Sequence, residues 1–329
     1  MRVKVDSFVV ETPVHFPTDI TLLYDSARKC LDIIEKASEV LKRPLEGWRK
    51  LGLWRKQLRR EERQLSAISG RGGANRAARL LEAAEAYLAL ANRLSAKVAA
   101  TSLPEGGSMH LIAIFAALAH YQALLDKHID LVRRRLIEGE KIPHADKLFS
   151  IFEPHTEWIN KGKKHKAVEL GLKVLVATDE HHFILRHRVM QQQQDVELAL
   201  PIAQEICQAY GQTKLQSISF DRGFYSKLNY ENLLQYAHQV ILPKKGKPNQ
   251  EEAQREAQEE FVRLRHQHSA VEANINQLEY NGLDRCPDKG IKHFKQYVAL
   301  GVLAYNLHRI GKTLIRKETA DPKPYRRAA

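Results

Sequence analysis

The sequence predicts an α/β protein: a mixed sheet flanked by helices, with a large all-helical insertion after its first strand. Three observations predict it. Residues 2–11 alternate in the manner of a strand. Residues from about 20 to 136 carry helical spacing with few breaks. After Ile142-Pro143, strand-like and helix-like segments take turns. The implied division is residues 1–19 as the first strand of the core, 20–142 as the helical insertion, 143–316 as the rest of the core and 317–329 as a disordered tail.

Val3 and Val5, then Phe8, Val9 and Val10, give the first strand, with an irregularity expected near Ser7 where the alternation fails. Thr18 or Asp19 is placed to cap a helix opening near Ile20. Leu23, Ala27, Leu31 and Ile34 form one helical stripe, Leu81, Ala84, Leu88, Ala91 and Leu94 a second, and Ile112, Phe115, Leu118, Leu125, Ile129 and Val132 a third. Breaks at Arg43-Pro44, at Ser69 to Gly73 and at Leu103 to Gly107 divide the block into roughly four helices. Lys166–Ala177 and Phe183–Val189 read as strands joined by a polar turn. A helix (Val196–Tyr210), a strand (Leu215–Phe220), a short helix (Asn229–Ala237) and a strand (Gln239–Leu242) follow. A long polar helix from about Gln250 to Tyr280 and an amphipathic one, Phe294 to Leu314, complete the order.

Composition narrows the partners. Against 39 acidic residues stand 52 basic ones, a net charge of +13, which points to a polyanion such as nucleic acid. Cys30, Cys207 and Cys286 lie far apart, which excludes a disulfide scaffold or cysteine-rich zinc site and fits a reducing cytoplasm. The uncharged run Gly106–Leu125 contains His110, His120 and Gln122 and reads as a core helix, so no membrane partner is expected.

Three carboxylates stand out by position: Asp6 in the first strand, Asp221 at the end of Leu215–Phe220, and Glu272 on the late helix. Acids at strand ends and on a packed helix can converge although 215 and 51 residues separate them in sequence. Converging anions repel unless a divalent cation fills the gap, and such a site carries out phosphoryl transfer with one or two Mg²⁺. Taken singly, each acid reads better as solvated surface, a helix cap or a salt-bridge partner than as a catalytic group.

The words around these acids carry a resemblance. Val5-Asp6-Ser7-Phe8-Val9-Val10-Glu11-Thr12 with Pro17 to Leu23, then Ile218-Ser219-Phe220-Asp221-Arg222-Gly223-Phe224-Tyr225-Ser226, then Val240 to Gly246, resemble successive blocks of bacterial insertion-sequence transposases of the DDE type, the ISNCY-like group among them. Arg265 to Asn276 with Leu283 to Pro287, and Tyr297 to Leu307, resemble the glutamate helix with its exit loop and the closing helix. The resemblance implies an RNase H-like fold, in which Asp6, Asp221 and Glu272 form the catalytic, metal-binding triad. It implies two Mg²⁺, with Mn²⁺ able to substitute, and double-stranded DNA partners: terminal inverted repeats and target DNA. A homodimer in the active complex and a place in the bacterial cytosol or nucleoid go with it. Two features depart from the pattern. The Tyr-Arg-Glu-Lys signature common around the glutamate is replaced by His268 four residues before Glu272 and Glu279 seven after, and the DNA-binding region that complete members carry has no room in the five residues before Asp6. A catalytically inactive DNA-binding derivative and an RNase H-like nuclease therefore remain alternatives.

Candidate DNA contacts come from basic runs. Lys42–Arg63 holds nine basic and three acidic residues; Arg55 and Arg59 there suit phosphates, and Trp48 with Trp54 suit stacking on exposed bases. Lys161, Lys163, Lys164 and Lys166 surround Gly162 in a second clamp. Lys244, Lys245 and Lys247 form a third. Arg222 and His268, beside the acids, are expected at the scissile phosphate, and Arg265 on the DNA nearby. His181-His182 reads as part of a hairpin turn, since neighbours on a strand face opposite ways.

Overall fold

A computed structural model describes residues 1–104, 106–160 and 167–320. The chain divides into two compact units, one of Met1–Pro13 with His155–Ala329 and one of Val14–Pro154.

The first unit is built on a six-stranded mixed sheet. Its strands are β1 (Arg2–Glu11), β2 (Glu157–Asn160), β3 (Val168–Asp179), β4 (Ile184–Val189), β5 (Leu215–Phe220) and β6 (Ala237–Ile241). Their order is β2-β3-β1-β5-β6, with β4 also pairing β3. β1 runs antiparallel to β3 and parallel to β5, and β5 parallel to β6, the RNase H-like arrangement. β1 contains no bulge: its register with β3 is continuous from Val3↔Asp179 to Glu11↔Gly171. The irregularity expected near Ser7 is instead a strand buried on both faces, because β1 lies centrally. Val3 and Val5 belong to one core cluster, and Phe8 and Val10 to the other. β2 was not foreseen; its four residues are too few to show a period.

The second unit is a helical bundle: α1 (Asp19–Leu41), α2 (Leu51–Gly70), α3 (Arg76–Ala99) and α4 (Met109–Leu136). Thr18 caps α1 in a reciprocal capping box with Thr21, and Ser108 caps α4 by accepting from the Leu111 N–H. Leu31, Leu58, Tyr87, Leu94 and Leu125 are among its fully buried side chains. α4 is long and apolar enough to cross a membrane by length and composition; here Leu111, Ile114, Leu118 and Leu125 join the bundle core.

The remaining helices return to the first unit. α5 (Asp195–Ala209) and α6 (Lys227–Leu233) follow β4 and β5, and α5 supplies Leu198, Ile202 and Ile206 to the cluster of Val3 and Val5. The expected long polar helix is three: α7 (Gln250–Glu256), α8 (Glu259–His268) and α9 (Ala270–Leu278). At the α8–α9 break the Ser269 hydroxyl donates to the His266 carbonyl, competing with regular helix continuation. α10 spans Ile291–Ala320, so helix continues past residue 317 where a disordered tail was expected; residues 321–329 lie outside the described residues. Val271 and Ile275 of α9 and Phe294 and Val298 of α10 complete the cluster of Phe8 and Val10.

Candidate active site

Strand alternation places the acids. Arg2 and Lys4 pair with Ser217 and Ser219 across the parallel β1–β5 ladder, so these residues share a face. Asp6 is next on that face of β1, one residue past the last β1–β5 pair, Val5↔Phe220. Asp221 directly follows Phe220 and is still extended (φ −72°, ψ 162°), which carries the alternation on. Opposite, Glu272 stands exposed in the first turn of α9, whose Val271 is buried in the cluster shared with Phe8 and Val10.

The electrostatics of Asp6 register this convergence. Its carboxyl is pushed up to about 7, first by burial and then by the negative charges of Asp221, Asp195 and Glu272, although the Ser7 N–H donates to it at 2.7 Å. Among the described residues none of Asp6, Asp221 and Glu272 has an ion-pair partner. Also among the described residues, no three His, Cys, Asp or Glu side chains are gathered into a ready metal cage. The donor set nonetheless fits a hard divalent cation in kind. It is all carboxylate oxygen, and a nearby dication would oppose the field that raises the Asp6 carboxyl.

Asp195 escaped the sequence reading. It opens α5, accepts from the Ser7 hydroxyl at 2.7 Å and pairs with Lys173 at 2.7 Å. Gly223 passes close by: a Cβ there would stand 3.6 Å from Asp195 Oδ2. This carboxylate thus lies between the residue after Asp6 and the loop after Asp221. An acid in a first helical turn reads only as a favourable helix end, so no signal in the sequence separated it from Glu197 in the same turn.

His268 does not supply the expected charge. Burial drives its imidazole down to about 4, so it is neutral at pH 7; Nδ1 meets the Ser219 hydroxyl at 3.0 Å and Nε2 is buried without a hydrogen-bond partner. Arg222 is exposed beside Asp221, and Lys245 and Arg265 are exposed as well. Lys244 is engaged, paired with Glu252 at 2.7 Å and seated over the Tyr225 ring, which removes it as a free phosphate contact. Lys161, Lys163, Lys164 and Lys166 lie outside the described residues.

In the helical unit the Trp48 ring is buried and its N–H donates to Thr101 Oγ1 at 2.9 Å, leaving no face for a base. Arg55 is held by Asp32 and Glu35, and Arg59 by Glu62, so neither is a free cation.

No curated protein and no solved structure matches the chain. The family model of the transposase DDE domain matches residues 133–307, more than half the sequence; Asp221 and Glu272 fall within that stretch and Asp6 before it. On that match and this fold, the chain belongs to the transposase DDE domain family.

Proposed function

We propose that the protein cleaves DNA strands at the ends of a mobile element and joins them to target DNA, with Asp6, Asp221 and Glu272 holding two Mg²⁺, or Mn²⁺ in their place. The observation that carries this reading is the half-buried Asp6 carboxyl, raised to about 7 with Asp221 and Glu272 among the causes. Ions held there would activate the attacking oxygen and stabilise the leaving one in phosphoryl transfer. The protein's own groups divide the remaining work. Asp6 and Asp221 come from neighbouring strands and fix one side of the site; Glu272 comes from α9 and closes the other. Arg222, exposed next to Asp221, is the cation placed to meet a non-bridging phosphate oxygen. His268, neutral, holds the Ser219 hydroxyl under the strand that ends at Asp221. Partners on this reading are terminal inverted repeats and target duplex, engaged by a homodimer in the bacterial cytosol or nucleoid.

The test is a cleavage and strand-transfer assay with the purified full chain on terminal-repeat DNA in Mg²⁺. Wild type should nick and join, and Asp221→Asn should do neither; an Asp221→Asn protein that cuts as well as wild type overturns the assignment. A second reading, a DNA-binding derivative without catalysis, is favoured by the lack of a ready three-acid cage among the described residues. Band shifts without cleavage in Mg²⁺ and Mn²⁺ would support it, and cutting without joining would indicate a nuclease.

A further inference from the structure

Two cationic clefts lie at opposite ends of the α2–α3 hairpin of the helical unit. The first, about 740 Å³, is lined by Arg43, Arg49, Lys50, Arg93 and Lys97, with Glu46 the one acid on its wall. The second, about 240 Å³, sits at the α2–α3 turn between Arg71, Arg76 and Arg79. Among the described residues none of these eight cations has an acidic partner, in contrast to Arg55 and Arg59 of α2.

Their setting is ordered. Arg93 lies over the Trp54 ring and Lys97 over the Trp48 ring, contacts that hold two long side chains at the mouth of the first cleft. Gly47, at φ +77°, lets the loop before α2 pass beside Lys97: a Cβ there would stand 3.6 Å from its Nζ. At the other end, Arg76 is fixed by donating to the Ser69 carbonyl at 2.8 Å.

Spacing identifies the ligand class. On the α2 side 21 residues separate Lys50 from Arg71, and on the α3 side 21 separate Arg76 from Lys97. At 1.5 Å rise per residue the clefts stand about 32 Å apart, and at 3.6 residues per turn their linings point within about 60° of one another. One turn of B-form duplex is about 34–36 Å. Between the clefts the outward row of α3 carries Glu82, Ala86 and Ala89, all exposed and none of them a cation. Along α3 the cations stand at the two ends with none between, which matches a strand whose phosphates reach that helix once per turn, while Lys56, Arg60 and Arg63 of α2 are exposed along its flank.

We infer that the α2–α3 hairpin is a backbone cradle for double-stranded DNA, gripping one strand at two points a helical turn apart. The choice of duplex DNA rests on the transposase reading; the two-point grip rests on the clefts.

The experiment measures binding of the full chain to labelled duplexes of 8 and 20 base pairs, in EDTA and over a series of salt concentrations. The variants are Arg49→Gln/Lys50→Gln for the first cleft and Arg71→Gln/Arg79→Gln for the second, with folding checked by circular dichroism. Each neutralised phosphate contact should lower the slope of log K against log salt by about 0.9, so each double variant should lose about 1.8. Wild type should bind the 20-mer at least tenfold more tightly than the 8-mer, and either variant should lose most of that difference. Folded variants with the wild-type slope, or a wild type indifferent to duplex length, would overturn the cradle. So would equal length dependence on single strands, which have no fixed turn. Because the readout is binding in EDTA, with no strand cut or joined, failure of the catalytic reading and failure of the cradle give different results.

Discussion

Acidic side chains of the helical unit are paired within the chain, as Glu252 and Glu205 are in the sheet unit, but one group of acids in the sheet unit is treated differently. In the helical unit Asp32 and Glu35 share Arg55, Glu62 takes Arg59, and Arg134 gathers Asp130, Glu140 and Asp146. In the sheet unit Asp6 is half-buried amid the fields of Asp221, Asp195 and Glu272, and among the described residues only Asp195 of these four has a basic partner, Lys173. Charge neutralised within the chain holds helices in place. Charge gathered without neutralisation costs stability, and the cost is offset when a cation arrives from solution.

Four measurements break or sharpen this contrast. The largest effect should come from Asp221→Asn, which should cut strand cleavage on the order of a thousandfold with the melting temperature unchanged or raised. A parallel fall in stability would mean that Asp221 serves the fold instead.

Next is Asp6 in metal-free protein. Its folded-state affinity for a proton exceeds the unfolded one, so its favourable contribution is complete below about pH 3.8 and is lost as pH rises through about 7. Asp6→Asn should therefore match wild type near pH 4 and exceed it by about 2–4 kcal/mol at pH 8, measured by urea unfolding at both pH values. A difference independent of pH would remove the electrostatic account.

Third, Asp195→Ala should lower kcat by about 10–100-fold while leaving KM for DNA in place, because it acts through Ser7 and the Gly223 loop. Asp195→Asn, which keeps an acceptor for Ser7, should recover part of the loss. The smallest effect belongs to the helical unit: Arg55→Ala should cost about 0.5–1 kcal/mol by chemical denaturation, as partly exposed pairs do. A cost several times larger would make the arginine network a structural keystone and blur the contrast.

Much of this was legible in residue order, and the gaps have physical causes. β1 and β5 emerged at their observed bounds because short apolar strands between turn residues announce themselves. Three of the four helices of the second unit emerged because their stripes repeat over several turns, and the fourth, α2, only from the breaks on either side of it. The face of each β1 side chain was harder, since Phe8, Val9 and Val10 are all buried and no polar residue marks a solvent side. Trp48 within a basic run suggested stacking, but its N–H meets Thr101, 53 residues onward. Arg59 finds Glu62 three positions away, a pairing written in the sequence, whereas Arg55 is claimed by Asp32 and Glu35 of another helix. Asp195 has meaning only beside Ser7 and Lys173, which strand register brings to it.

The sheet's central strand is made first and finds its neighbours late. β1 pairs with Gly171 to Asp179 on one side and Ser217 to Phe220 on the other, so at least 160 residues leave the ribosome before any mate for it exists. The helical unit closes its own core from Ile20 to Val132 during that interval. Synthesis thus proceeds with one finished bundle and a bare ten-residue ribbon whose backbone donors and acceptors stay open to stray pairing, the slow, long-range step in assembling this protein.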